Sequence, residues 1–252
     1  MTQRLRVMTY NVRACLGLDG ARDPGRVAEV IRRSEADLVA LQELDVGVER
    51  SGEVDQPARI AELAGMRARF TAARPLGAGS YGNAVLAARP FTVCAEGALP
   101  VRFGEPRAAQ RVTVPLGAVA LELVNTHLSI HLVERWMQAR ALFDEVERAV
   151  DDGRYAPATG AAERLVLCGD LNSGRWSPVY RWLSRRLTDA QRAVEGKTLA
   201  TWPANRPLLR LDYVWVGAGV RVERVAAPRD ALTSVASDHL PLVVDLAVDD
   251  AE

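Results

Sequence analysis

Six apolar segments of this chain end on, or open from, residues that can bind a metal ion or move a proton. Asn11 follows Val7-Met8-Thr9-Tyr10, and Glu43 follows Leu38-Val39-Ala40-Leu41-Gln42. Asn125 and His127 follow Leu121-Glu122-Leu123-Val124; Asp170 and Asn172 follow Leu165-Val166-Leu167-Cys168-Gly169. Asp212 opens Tyr213-Val214-Trp215-Val216, and Asp238-His239 precedes Leu240-Pro241-Leu242-Val243. Each residue alone has a plain explanation. Asn11 reads as a turn residue, Glu43 as a solvated loop carboxylate, Asp170-Leu171-Asn172 as an Asx-turn, Asp212 as a partner for Arg210, and His127 as a satisfied core histidine. The repeated placement argues otherwise, because strand ends in an α/β sheet gather at one rim, where ligands bind.

The chemistry available at such a rim is phosphoester hydrolysis. Glu43 and Asp238 are hard oxygen ligands suited to Mg²⁺ or Mn²⁺ rather than zinc. Asn11 is placed to hold a coordinated water or a phosphate oxygen. A metal there would polarise a phosphoryl oxygen and offset charge on the leaving group. The attacking water needs a proton acceptor, for which Asp170 and the Asp212–His239 pair are the candidates. Asn172 and His127 can donate to non-bridging oxygens as charge builds.

The elements that must position these groups alternate between strand and helix in two similar halves. Strands are predicted over 5–10, 37–41, 83–88, 93–99, 165–168, 211–216, 220–225 and 240–246. A hairpin is predicted from 111–114 and 119–126 around Pro115-Leu116-Gly117. Helices are predicted from Asp23-Pro24, an N-cap with proline behind it, over 57–64, over 132–150 with Trp136, Leu142, Phe143 and Val146 as its apolar positions, and over 177–187. Residues 151–162 read as a Gly/Pro/Ala-rich surface loop inside one domain spanning 1–252, because the polar groups on both sides of it have to converge.

The bulk numbers set bounds. The 252 residues are 48% hydrophobic and 25% charged, as in an ordinary globular protein. Lys+Arg and Asp+Glu balance at 32 each, so there is no basic excess of the kind a non-specific DNA binder shows. The N-terminus has no continuous apolar stretch, and no apolar run reaches membrane-spanning length. The three cysteines, Cys15, Cys94 and Cys168, form no close pair. A reducing cytoplasm is expected, with no membrane insertion. The sequence carries no signal for oligomeric state.

The chain resembles the endonuclease/exonuclease/phosphatase superfamily, the deoxyribonuclease-I-like fold. The resemblance rests on Thr9-Tyr10-Asn11, Leu41-Gln42-Glu43, Tyr81-Gly82-Asn83-Ala84-Val85-Leu86, Asn125-Thr126-His127-Leu128, Gly169-Asp170-Leu171-Asn172, Leu211-Asp212-Tyr213-Val214 and Ser237-Asp238-His239-Leu240-Pro241, which fall in the family's order along nearly the whole chain. It implies a four-layer α/β sandwich of two mixed sheets packed face to face with helices outside. It further implies Glu43 as principal metal ligand with Asn11 and Asp238 assisting. Asp170 resembles the residue that orients or deprotonates the attacking water, with Asn172 as its transition-state partner. His127 and His239 resemble the two site imidazoles, with Asp212 behind His239. Whether His239 is base or phosphate stabiliser, and whether one metal or two is bound, stays open at this level.

The superfamily's substrates range from DNA and RNA to inositol phosphates and sphingomyelin-like headgroups. The expectation here is a phosphodiester, with nucleic acid slightly ahead of a small or lipid-derived phosphoester. Tyr81 and Asn83 belong to a matching motif, and the Tyr81 hydroxyl is expected to face substrate. Arg111, near Arg102 and Arg107, and Arg210, near Arg206, could contact phosphate. Trp176, on the loop after Asn172, could stack on a base. An inactive binding protein on the same scaffold would have lost Glu43, Asp170, Asp238 or His239, and all four are present.

Overall fold

The computed structural model describes residues 1–151, 164–194 and 198–249. Most of the expected loop over 151–162, together with the side chain of Val146, lies outside the described residues.

The described residues form twelve strands, six α-helices and two short 3-10 turns. The strands are β1 (Thr2–Asn11), β2 (Leu38–Val46), β3 (Arg67–Leu76), β4 (Gly79–Ala87), β5 (Thr92–Ala98), β6 (Ala108–Leu116), β7 (Val119–His127), β8 (Leu165–Asp170), β9 (Thr188–Asp189), β10 (Asp212–Val216), β11 (Val220–Ala226) and β12 (Leu242–Asp249). The helices are α1 (Pro24–Ser34), α2 (Gln56–Ala64), α3 (Leu132–Asp151), α4 (Pro178–Leu183), α5 (Ala190–Ala193) and α6 (Thr233–Ala236). Two six-stranded sheets result, ordered β11-β12-β1-β2-β4-β3 and β5-β6-β7-β8-β10-β9. The β1–β2 and β7–β8 pairs are parallel and the other pairs antiparallel.

The two-residue period of a strand sorts the side chains. Along β1, Leu5 and Val7 point into the space between the sheets; along β7, Leu121 and Leu123 do so. Val166 and Cys168 of β8, and Val214 and Val216 of β10, complete that inner layer. Each fully buried Val or Leu of this kind contributes about 1.5–3 kcal/mol. The opposite faces carry the helices. Met8, Val39 and Leu86 pack on Val27 and Ile31 of α1 and Ile60 of α2. Leu165, Leu167 and Trp215 pack with Leu142 and Phe143 of α3 and Leu183 of α4. The layers therefore run helix, sheet, sheet, helix, as expected. No described helix is long and apolar enough to cross a membrane.

Local signals account for the helix starts. Asp23 accepts from Gly25 and Arg26 amides, Asp55 from Ala58, and Ser177 from Tyr180, each with proline in the first helical turn. Two expectations need correction. The helix expected over 177–187 stops at Leu183, and its tail folds into a turn before β9. An edge strand, β3, occupies 67–76, where none was predicted.

Candidate active site

The inner rows of the strands change from apolar to polar as they reach one end of the sandwich. Leu5, Val7 and Thr9 lead to Asn11; Leu121, Leu123 and Asn125 lead to His127. Val166 and Cys168 lead to Asp170, and Val216 and Val214 lead back to Asp212. The register sets Asp170 opposite His127 on one side and Asp212 on the other.

Between core and rim lies a belt of buried amides. Gln42 donates to Thr9 Oγ1 (3.1 Å) and, across the two sheets, to Asn125 Oδ1 (2.9 Å). Asn125 Nδ2 returns the bridge to the carbonyls of Leu41 (3.0 Å) and Ala84 (2.9 Å). Asn83 Nδ2 donates to the Ala108 carbonyl, again from one sheet to the other (3.0 Å). Asn83 is thus committed to bracing the sheets from a buried position.

Glu43 reaches the rim by a backbone irregularity. On an unbroken strand it would share the outer face with Val39 and Leu41. Instead the register shifts between Leu41, opposite Ala84, and Leu44, opposite Gly82, so two residues face one. Glu43 takes the left-handed conformation at φ 62°, a bulge that re-aims its side chain. Such a conformation costs a non-glycine residue about 1–3 kcal/mol and tends to occur where function requires it.

The resulting cluster is tight. Asn11 Nδ2 donates to Glu43 Oε1 (2.9 Å) and Asp170 Oδ2 (3.0 Å). Asp170 Oδ2 lies 3.5 Å from His127 Nε2 and 3.7 Å from His239 Nε2. His239 Nδ1 is 2.9 Å from Asp212 Oδ2. The Asn172 amide N–H caps Asp170 Oδ1 (2.9 Å), and its side chain donates to the Leu128 carbonyl (2.9 Å). Glu43, His127 and Asp170 form one set of converging ligand atoms, and Asp170, Asp212 and His239 a second.

Burial and neighbours set the protonation states. Burial, and then the charge of Asp212, hold the Asp170 carboxyl well above the usual carboxylate range. Burial works against charge on His239, but Asp212, by charge and hydrogen bond, with Asp170 and Asp238 beyond it, outweighs that and pushes the imidazole up to about 10. Burial, followed by Arg107 and His239, drives His127 well below its ordinary value. One imidazole is therefore cationic and the other neutral at pH 7.

Gly169 controls how β8 delivers Asp170. Its φ is +144°, and an added Cβ would lie 1.8 Å from the Thr126 carbonyl oxygen. We expect Gly169→Ala to cost about 2–3 kcal/mol, read by urea unfolding. A variant as stable as its parent would show that the strand relaxes freely around the contact.

Other expected residues fall differently. Asp238 joins neither ligand set among the described residues; its carboxylate lies 3.4 Å from Trp202 Nε1 and 3.8 Å from Arg13 Nε. Tyr81 is buried, and Glu43 and Arg107 both act on its hydroxyl. Trp176 stands exposed after β8, with the Arg175 guanidinium 4.4 Å from its ring centroid. Arg111 and Arg210 are not brought to the site. Arg111 lies on the outer face of β6, where it acts on Glu122 and lines a cavity of about 90 Å³ with Leu99, Val124 and Leu142. Arg210 is paired with Asp189 and lies over the Tyr213 ring.

Two features were not anticipated. Arg107 is buried against His127, its terminal nitrogen 3.1 Å from Nδ1. In the segments that flank Arg107 and His127, Glu134 Oε1 accepts from the amides of Arg102 (2.5 Å), Phe103 (3.1 Å) and Gly104 (3.2 Å). This clamp fixes the 101–104 loop to the start of α3 and leaves Phe103, Ile130, Leu132 and Val133 exposed there. The polar Gln42 inside an apolar run was the visible signal for the amide belt.

Comparison with known proteins bears on the family and the fold. The model of the Endonuclease/Exonuclease/phosphatase family matches residues 8–239. An endonuclease/exonuclease/phosphatase from Beutenbergia cavernae is 26% identical, with a TM-score of 0.74 over 99% of this chain and 72% of that one. The mannosyl-6-phosphatase Bt3783 of Bacteroides thetaiotaomicron is 18% identical, with a TM-score of 0.75 over 96% and 99%. The human Nocturnin catalytic domain, solved with a bound sulfate anion, is 19% identical, with a TM-score of 0.70 over 98% and 95%. A search of curated proteins finds no match.

Proposed function

The chain belongs to the endonuclease/exonuclease/phosphatase family, hydrolases of phosphoesters that generally use divalent metals, and from that premise we propose a phosphodiesterase working by in-line attack of water. The observation that carries the reading is the Asp170 carboxylate, buried and held by Asn11 between two imidazoles beside Glu43.

The donor set suits Mg²⁺ or Mn²⁺. Glu43 and Asp170 offer hard oxygens, and the buried acids of the rim leave Asp170 holding charge against its surroundings, which a cation would offset. Glu43 would be the principal ligand, with Asn11 and Asp238 supporting. When bound, the metal would polarise the phosphoryl group and favour departure of the leaving oxygen. The protein's own groups do the rest. Asp170, with its raised pKa, takes the proton of the attacking water. Asp212 orients His239 through Nδ1 and keeps it cationic, so His239 stabilises charge rather than acting as base. His127 and Asn172 donate to a non-bridging oxygen.

We read residues 1–252 as one catalytic domain, since β12 lies between β11 and β1 and joins both ends of the chain in one sheet. The three free cysteines support a cytoplasmic setting. Nucleic acid is the first substrate class to try, because Trp176 and Arg175 together suit an unstacked base. A second reading, a small or lipid-derived phosphoester, is favoured by the exposed apolar side chains Phe103, Ile130, Leu132 and Val133 in the segments that flank Arg107 and His127.

The test is hydrolysis by purified protein with Mg²⁺ or Mn²⁺, and with chelator. The panel holds plasmid DNA, an abasic-site duplex, single-stranded RNA, bis-p-nitrophenyl phosphate and inositol phosphates. Metal-dependent turnover that disappears in Glu43→Ala is expected. Turnover that survives chelation, or that Glu43→Ala retains in full, would overturn the metal assignment. A folded protein inert on every substrate would point to a binding role.

A further inference from the structure

The two imidazoles that flank Asp170 are backed by opposite chemistry. Behind Nδ1 of His239 stands a carboxylate, Asp212. Behind Nδ1 of His127 stands a guanidinium, Arg107, whose terminal nitrogen also lies 3.1 Å from Glu105 Oε2. Arg107 is buried, and its Nε has no hydrogen-bond partner among the described residues.

A guanidinium has only N–H donors and no acceptor, and it does not lose its proton in a protein. A ring nitrogen 3.1 Å from it can bond only by offering a lone pair. Nδ1 of His127 is therefore the acceptor, and a neutral imidazole must then carry its hydrogen on Nε2. That Nε2 faces Asp170 Oδ2 at 3.5 Å and the Asn172 side-chain nitrogen at 3.1 Å. Asn172 has one amide hydrogen committed to the Leu128 carbonyl. The Asn172 amide nitrogen is also a donor, but a neutral ring accepts on one nitrogen only, and the permanent charge of Arg107 at Nδ1 together with the Asp170 oxygen at Nε2 favours the lone pair on Nδ1. Asp170 Oδ2 is the acceptor at hand on that side, and an anionic oxygen brought to the same place would compete for the Nε2–H.

We infer that Arg107 is a positioning residue that holds His127 as the Nε2–H tautomer, so that His127 meets substrate only as a hydrogen-bond donor. The consequence for catalysis rests on the proposed phosphoester reaction; the tautomer does not. Without Arg107, the other tautomer has a partner within reach, since Glu43 Oε1 lies 3.9 Å from Nδ1.

The experiment is long-range ¹H–¹⁵N NMR of the imidazole nitrogens in the full chain. With three histidines in all, the His127 signals are assigned by their loss in His127→Gln. The wild type is expected to show Nε2 protonated and Nδ1 bare. In Arg107→Met the Nδ1–H form should grow, and kcat should fall about 10²-fold with a smaller change in KM. Arg107→Lys, which keeps a donor, should restore the wild-type tautomer and most of kcat. An Nδ1–H wild type would overturn the inference, as would a tautomer that Arg107→Met leaves unmoved, or one that moves without loss of kcat. Should the Met variant not fold, the wild-type spectrum and the Lys variant still decide. A wild type that shows Nε2–H yet turns over no phosphoester would instead remove the proposed reaction and leave the tautomer assignment standing.

Discussion

Asp170→Asn is expected to lower kcat by about 10²–10⁴-fold while leaving the fold intact. Asparagine has the shape of aspartate and keeps an oxygen for the Asn172 amide, which now bonds Oδ1 at 2.9 Å. What it cannot do is accept a proton from the attacking water. The stability effect has a definite sign. The folded-state pKa of Asp170 is raised, by burial first and by Asp212 second. A raised carboxyl favours the fold at low pH, and this advantage is lost as pH climbs through the folded value. Above that point the ionised group is a net cost to the native state. The variant should therefore melt at or above the wild-type temperature at pH 8. Steady-state kinetics with metal, run beside thermal unfolding, checks both halves. Full activity in a folded variant would end the assignment of Asp170, and unfolding would recast it as structural.

The second large effect concerns stability. Asp212→Ala is expected to cost about 3–5 kcal/mol at neutral pH, because it strips the partner from a buried charge. Asp212 is fully buried, its Oδ1 has no hydrogen-bond partner among the described residues, and its charge is answered by His239. The pair is worth most where His239 carries its proton. Its folded value of about 10 lies above the ordinary 6.5, so the contribution is complete below pH 6.5 and is lost as pH rises through about 10. Denaturant unfolding across that window should show the gap between wild type and Asp212→Ala narrowing with pH. A gap that stays constant from pH 6 to 10 would mean that Asp212 acts through packing alone. Asp212→Asn, which still offers an oxygen to Nδ1, should lose less than the alanine variant.

Much of this site could be read before the structure because strands impose a period of two. Once Leu121 and Leu123 face inward, Asn125 and His127 must follow, and the same holds for Val166, Cys168 and Asp170. Backbone irregularities and partners from distant segments were the illegible part. Nothing in Leu41-Gln42-Glu43-Leu44 announces that Glu43 takes a positive φ, since glutamate has no preference for that region. Arg107 and Arg111, four apart, look like neighbours on one face. In the structure Arg107 precedes β6 and turns into the site, while Arg111 lies on the strand and faces outward. Arg210 looked available for phosphate, but Asp189, at the end of β9, claims it. The unpredicted β3 is an edge strand with three arginines and three alanines among its ten residues and a proline near its end, a composition with little β propensity.

The order of strands in the first sheet also bears on how an active molecule comes into being. β12 is wedged between β1 and β11, yet it trails β1 by more than two hundred residues. A nascent chain must therefore carry β1 with one edge open, an adhesive edge, through nearly all of its synthesis. Closing that gap is a long-range pairing of the slow kind. The segment that closes it is led by Asp238 and His239, so the step that seals the open edge also brings His239 to Asp212 and Asp170. Sheet completion and site completion are a single event, and a chain stalled short of it has no partly working hydrolase to set loose on the phosphoesters around it.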